Sequence, residues 1–137
     1  MFKKLSVLAL AFTLIMCKKS DSSTTTTPTV NPIVAKWTIV KETYVYNDGS
    51  PSYVYNYPTG SYIEFKQDNT YNYYNADQNA KPNSCSGTYT VTGTKINLKG
   101  CLLSVGDGDI VSQTSSALQI SYQDNTEKAK LVFDLTK

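Results

Sequence analysis

From Lys128 to Thr136 every second residue is apolar, in the series Ala129, Leu131, Phe133 and Leu135, and the same spacing recurs upstream in Leu118, Ile120 and Tyr122. A period of two sends alternate side chains to opposite faces, so each segment reads as a strand with one face buried. Nothing after residue 33 sustains the 3.6-residue spacing of an amphipathic helix. Val, Ile, Thr and the 11 tyrosines instead crowd between Gly, Asn and Asp clusters. The chain is therefore expected to be all-β, an antiparallel meander of short strands and tight turns. Residues 33–137 suffice for one core and are too few for two.

The turn chemistry sets three hairpins. A four-residue turn, Asp124-Asn125-Thr126-Glu127, would place Tyr122 opposite Ala129, Ile120 opposite Leu131 and Leu118 opposite Phe133, all on one face. A three-residue loop, Gln67-Asp68-Asn69, would bring Phe65 opposite Tyr71 and Ile63 opposite Tyr73, with Asn69 in the left-handed conformation such loops need. In CSGTYTVTGTKINLKGC a two-residue turn at Thr92-Gly93 would set Tyr89 against Ile96 and Gly87 against Leu98, leaving Cys101 one residue out of step with Cys85 unless Gly100 forms a bulge.

The N-terminus carries an address. Lys3 and Lys4 form a positive region, Leu5 to Met16 an apolar run too short to span a bilayer, and the run stops at Cys17. This resembles a bacterial lipoprotein signal, with Leu14-Ile15-Met16-Cys17 as the lipobox. The resemblance implies that residues 1–16 are removed, that Cys17 is lipidated, and that the chain is held at the cell envelope, on the outer membrane, by its acyl chains. Residues 17–32 then form the anchor and a Ser/Thr/Pro-rich linker that buries no core. Fully extended, it would reach up to about 50 Å. Residues 33–137 are the globular head.

All 13 basic residues are lysine; there is no arginine and no histidine. Without residues 1–16 the chain has eleven lysines against eleven acidic residues and is formally neutral. Nucleic acid is not an expected partner, because that footprint is strongly basic. The missing histidine removes the usual proton shuttle and metal ligand. With no nucleophile–base pair and no phosphate-cradling loop either, neither catalysis, metal nor cofactor is expected. Gly106-Asp107-Gly108-Asp109 reads as a tight turn rather than a calcium loop, and Glu42 and Glu64 read as outward and solvated. With Cys17 lipidated, Cys85 and Cys101 are the thiols left in an oxidising compartment and are expected to form a disulfide.

The first strand, IVAKWTIVKETYVYN, holds the single tryptophan, with Trp37 and Ile39 on one face and Val40, Glu42, Tyr44 and Tyr46 on the other. Together with Ala35-Lys36-Trp37, the stretches IEFKQDNTY, GTYTVTGTKINL and KLVFDLTK resemble the lipocalin-like domains of small secreted Bacteroidota lipoproteins. The resemblance implies an up-and-down barrel of about eight strands, near 35–46, 53–57 or 60–67, 70–76, 84–91, 94–101, 109–114, 117–123 and 128–136. It places Trp37 in the core at one barrel end, where Lys36 or Lys137 would cover the ring in place of an arginine. Such a barrel is wide enough either to be filled by its own side chains or to hold one small ligand.

The segment YVYNDGSPSYVYNYPTGSY, residues 44–62, has more aromatic surface than one strand face buries. Tyrosine gives large contact area with a polar tip, so this segment is the expected recognition element. The plainer alternative is that its tyrosines pave a sheet face. The candidate ligand or partner contacts are Trp37, Tyr46, Tyr53, Tyr55 and Tyr57. The expected function is binding of a small apolar or glycan ligand by a tethered monomer, with a filled surface-interaction module as the alternative.

Overall fold

The computed structural model describes residues 31–81, 83–101 and 106–137; the signal segment, Cys17 and the linker up to residue 30 lie outside the described residues. Nine strands follow in order: β1 Ala35–Tyr46, β2 Tyr53–Asn56, β3 Tyr62–Phe65, β4 Thr70–Tyr74, β5 Ser84–Thr92, β6 Lys95–Lys99, β7 Gly106–Gln113, β8 Ala117–Asp124 and β9 Ala129–Thr136. Each pairs antiparallel with its neighbour in the order β2-β1-β3-β4-β5-β6-β7-β8-β9, and β1 also pairs with β9, which closes the wall. Along its other edge β1 pairs first with β3, from Ala35 to Thr38, and then with β2, from Lys41 to Tyr44. The two short strands share one wall position, so 53–57 and 60–67 are both used. The result is an all-β closed barrel of eight wall positions, with no helix among the described residues.

The alternation buries what it predicts. Ile63, Phe65, Tyr71, Tyr73, Tyr89, Ile96, Leu98, Leu118, Ile120, Tyr122, Leu131, Phe133 and Leu135 face inward into one core with Trp37 and Ile39. Phe65 meets Tyr89 edge-on at 5.0 Å between ring centroids, an arrangement that sets one ring's positive edge against the other's negative face.

Trp37 is fully buried at one end of the barrel. Its indole Nε1 donates to the Ile33 carbonyl at 2.8 Å, and Lys137 Nζ lies 4.4 Å from a ring centroid of the indole. Lys36 instead covers Tyr62, at 3.7 Å.

The β3–β4 hairpin has the expected register, Ile63 with Tyr73 and Phe65 with Tyr71, and Asn69 is left-handed at φ 63°. The other two hairpins differ from expectation by two residues. The β5–β6 turn is Gly93-Thr94, so Tyr89 faces Leu98 and Val91 faces Ile96. Glycine at the first turn position, with φ 60°, suits the mirror-image turn that matches strand twist. At β8–β9 the Asp124 carboxylate accepts from the Thr126 and Glu127 amides at 2.7 and 3.2 Å. That Asx cap leaves Asp124 paired with Ala129, so the turn is Asn125–Lys128 and Tyr122 faces Leu131. A slip of two keeps every side chain on its expected face, which is why the core is unaffected.

Gly106-Asp107-Gly108-Asp109 is not a turn but the start of β7, paired with Leu98 to Lys95. Asp107 accepts from Asn97 at 2.7 Å and Asp109 pairs with Lys95 at 2.5 Å. Gly108 makes room for the Tyr122 ring, which any Cβ there would overlap. Cys85 and Cys101 are disulfide-bonded with Cα atoms 5.5 Å apart, inside the usual span. Gly100 beside them is left-handed, at φ 81°, at the expected irregularity.

Candidate functional site

The end of the barrel opposite Trp37 is shaped by two irregularities that face each other. On β1 the pairing to β9 shifts between Ile39 and Lys41, so Val40 is an extra residue and the inward phase changes there. Beside it, residues 57–61 interrupt the neighbouring wall position. Tyr57 N donates to Val40 O and Ile39 N to Ser61 O, each at 3.0 Å. Pro58, with no amide hydrogen, and Gly60, at φ 96°, suit a break of this kind better than a strand.

The consequence is a correction to the reading of β1. Before the bulge Trp37 and Ile39 point inward; after it, Glu42 and Tyr44 do. Glu42 is not a solvated outward residue: it is only 7 % exposed and stands opposite Tyr55 on β2 and Phe133 on β9. Glu64, on the outer face, keeps its expected side, half-buried and accepting from Asn72 at 3.2 Å.

Around Glu42 the aromatic segment closes in. The Tyr57 hydroxyl donates to Glu42 Oε2 at 3.1 Å, and the Tyr73 hydroxyl donates to that of Tyr57 at 3.4 Å. Tyr55 packs edge-on against Tyr57, with ring centroids 4.8 Å apart, and its hydroxyl reaches Asp77 at 3.4 Å. Tyr44 packs at 5.9 Å from Tyr53, which is 54 % exposed and marks the solvent side. On the inner side, Ile39, Ile63, Tyr73, Ile120, Phe133 and Leu135 enclose an apolar void of ≈ 10 Å³, at the lower limit for one water.

Burial sets the electrostatics of this cluster. Loss of hydration raises the Glu42 carboxyl above its ordinary value, hydrogen bonds from Tyr57 and Tyr44 oppose that rise, and the Asp124 charge adds to it. Burial and the adjacent Glu42 push the Tyr44 and Tyr57 hydroxyls far up, so both remain neutral donors. Burial also raises Tyr73. Among the described residues no lysine forms an ion pair with Glu42: the two ion pairs, Lys41–Asp134 and Lys95–Asp109, lie on other, more exposed carboxylates.

Of the five sequence-derived contacts, Tyr53, Tyr55 and Tyr57 come together on the inner face. Tyr46 stands one step further out, lining an open groove of ≈ 290 Å³ with Asn47, Asp48, Glu127 and Lys128. Trp37 is not brought to this cluster; it is a sealed core residue at the other end. Tyr57 is half-buried and packs against the core, so the tyrosines divide between wall and rim. Glu42, Tyr44 and Tyr73 were missed as site residues. The available signal was the adjacent apolar pair Ile39-Val40, which breaks the alternation where the phase changes.

The sequence from residue 33 to 132 matches the family model of the lipocalin-like domain. No curated protein matches the chain. Among solved structures, a lipocalin-like protein from Bacteroides uniformis ATCC 8492 is similar at 18 % identity and a TM-score of 0.47, over 75 % of this chain and 97 % of that one. The family match spans nearly all of the barrel, and the chain belongs to the lipocalin-like domain family.

Proposed function

We propose that this chain is a tethered binding module: an acylated Cys17 holds it at the outer membrane, a Ser/Thr/Pro-rich linker sets the head off the surface, and the tyrosine-lined end of the barrel takes a small ligand. The observation that carries the reading is Tyr55 and Tyr57 at the buried Glu42, with Tyr53 beside them on Tyr44. Rings with polar tips, held on paired strands, offer contact area at little entropic cost. Binding, rather than catalysis, fits a carboxylate whose hydrogen-bond donors are tyrosines. The tether reading rests on Lys3, Lys4, the apolar run to Met16 and Cys17.

Native mass spectrometry of the full chain, extracted from membranes of cells that produce it, tests both parts. The expected spectrum shows acyl mass on Cys17 and a co-purifying small molecule that is lost in the Tyr53→Ser, Tyr55→Ser double variant. An unacylated chain with no retained molecule contradicts the reading. The rival, a filled surface-interaction module, draws on the ≈ 10 Å³ void; an acylated chain that never carries a small molecule favours it.

A further inference from the structure

Resting on that reading, we infer that the site takes a ligand bearing an organic cation, an ammonium group on a small apolar or aromatic body, with Glu42 as the counter-ion and the tyrosines as the box around it. Four observations converge. First, Glu42 is 7 % exposed, and a carboxylate taken out of water is costly unless a positive charge or several donors compensate it. Second, its close side-chain partners are neutral tyrosine hydroxyls, Tyr57 at 3.1 Å and Tyr44, and no lysine of the described residues forms an ion pair with it. Third, the surrounding rings of Tyr44, Tyr53, Tyr55, Tyr57 and Tyr73 present π-faces and edges, and an aromatic face attracts a cation, most strongly when desolvated. Fourth, the charges that act on the cluster itself share the sign of Glu42: Asp124 acts on Glu42, and Asp124 and Glu127 act on Tyr44, while Lys128 stands further out, with Glu127 at the groove beside Tyr46.

An anionic ligand would meet three carboxylates in a chain that has no arginine to bind it. A neutral ligand would leave the buried Glu42 charge with tyrosine hydroxyls alone and no opposite charge. An ammonium supplies the missing charge, and its donors match the acceptor oxygens of Glu42 and the tyrosine hydroxyls. Tyr53, at the solvent side with 54 % exposure, is placed to stack on the apolar body.

The test uses the full chain in nanodiscs of zwitterionic lipid, with 13C-labelled tyrosine, titrated with phenethylamine and separately with 2-phenylethanol. The two share ring and chain length and differ in charge. Phenethylamine is expected to shift the Tyr53 and Tyr57 resonances saturably, at least tenfold more tightly than the alcohol. Glu42→Gln is expected to remove that tenfold preference while the alcohol titrates as before. Equal affinity for amine and alcohol at these tyrosines overturns the cation inference and leaves the binding-site reading standing. Absence of saturable shifts with either compound overturns both. The preference measured on the unaltered chain decides the matter even if the variant folds poorly.

Discussion

The Tyr57 hydroxyl donates to Glu42 Oε2 at 3.1 Å between neighbouring wall positions of the barrel, and Glu42 owes its inward aim to the bulge in β1, while Tyr57 follows β2 in phase with Tyr53 and Tyr55. Without the extra residue at Val40, Glu42 would keep the outward phase that simple alternation assigns it. At the break after β2, Tyr57 N donates to Val40 O, which holds Tyr57 beside the bulge. The polar centre is thus a product of the β1 bulge and the facing break between β2 and β3.

Glu42→Gln should change how stability depends on pH. In the folded chain Glu42 holds its proton to higher pH than its ordinary value of 4.5. Between that value and its raised folded value the native state binds more protons than the unfolded state, so stability falls as pH rises through this window. The glutamine variant lacks this loss. Its urea midpoint should exceed that of the unaltered chain at pH 8, and the gain should vanish by about pH 4. An equal midpoint difference at every pH would mean that Glu42 is not desolvated.

Trp37→Ala should cost about 3–5 kcal/mol, the range for truncating a buried large aromatic side chain. The cover on the ring is smaller and specific: Lys137→Met should cost about 0.5–1 kcal/mol and shift the Trp37 fluorescence, while Lys36→Met should leave that emission unchanged. Urea denaturation followed by tryptophan emission reads both. An unchanged midpoint for Trp37→Ala would place the indole outside the core.

Reducing the Cys85–Cys101 disulfide, which spans a separation of 16 residues, should lower stability by about 3 kcal/mol on the chain-entropy account. Thiol titration of the unfolded, unreduced chain should find no free thiol from this pair. Two free thiols there would contradict it.

The barrel was legible because inward faces follow from a period of two, and turn errors of two residues leave faces intact. Thr92-Gly93 and Gly93-Thr94 are both plausible turns on sequence, and the strand pairing chose the one with glycine first. Asp124 looked like a turn residue, yet it acts as the last strand residue while its side chain caps the turn. Gly108 read as turn punctuation because the reason for it, the Tyr122 ring, comes from a strand distant in sequence. The candidate site was half legible. An excess of tyrosine pointed to Tyr53, Tyr55 and Tyr57, but an odd-residue bulge reverses every assignment beyond it, and that hid Glu42 and Tyr44.

The most direct measurement is the 13C carboxyl titration of Glu42 in the folded chain, read alongside the labelled Tyr57 ring. The expected result is a Glu42 midpoint above its ordinary 4.5, with the Tyr57 resonance moving at the same pH, and a further rise in Tyr57→Phe, where the opposing hydrogen bond is lost. A midpoint at the ordinary value with Tyr57 unmoved would mean that Glu42 faces water, and the site built around it would not exist.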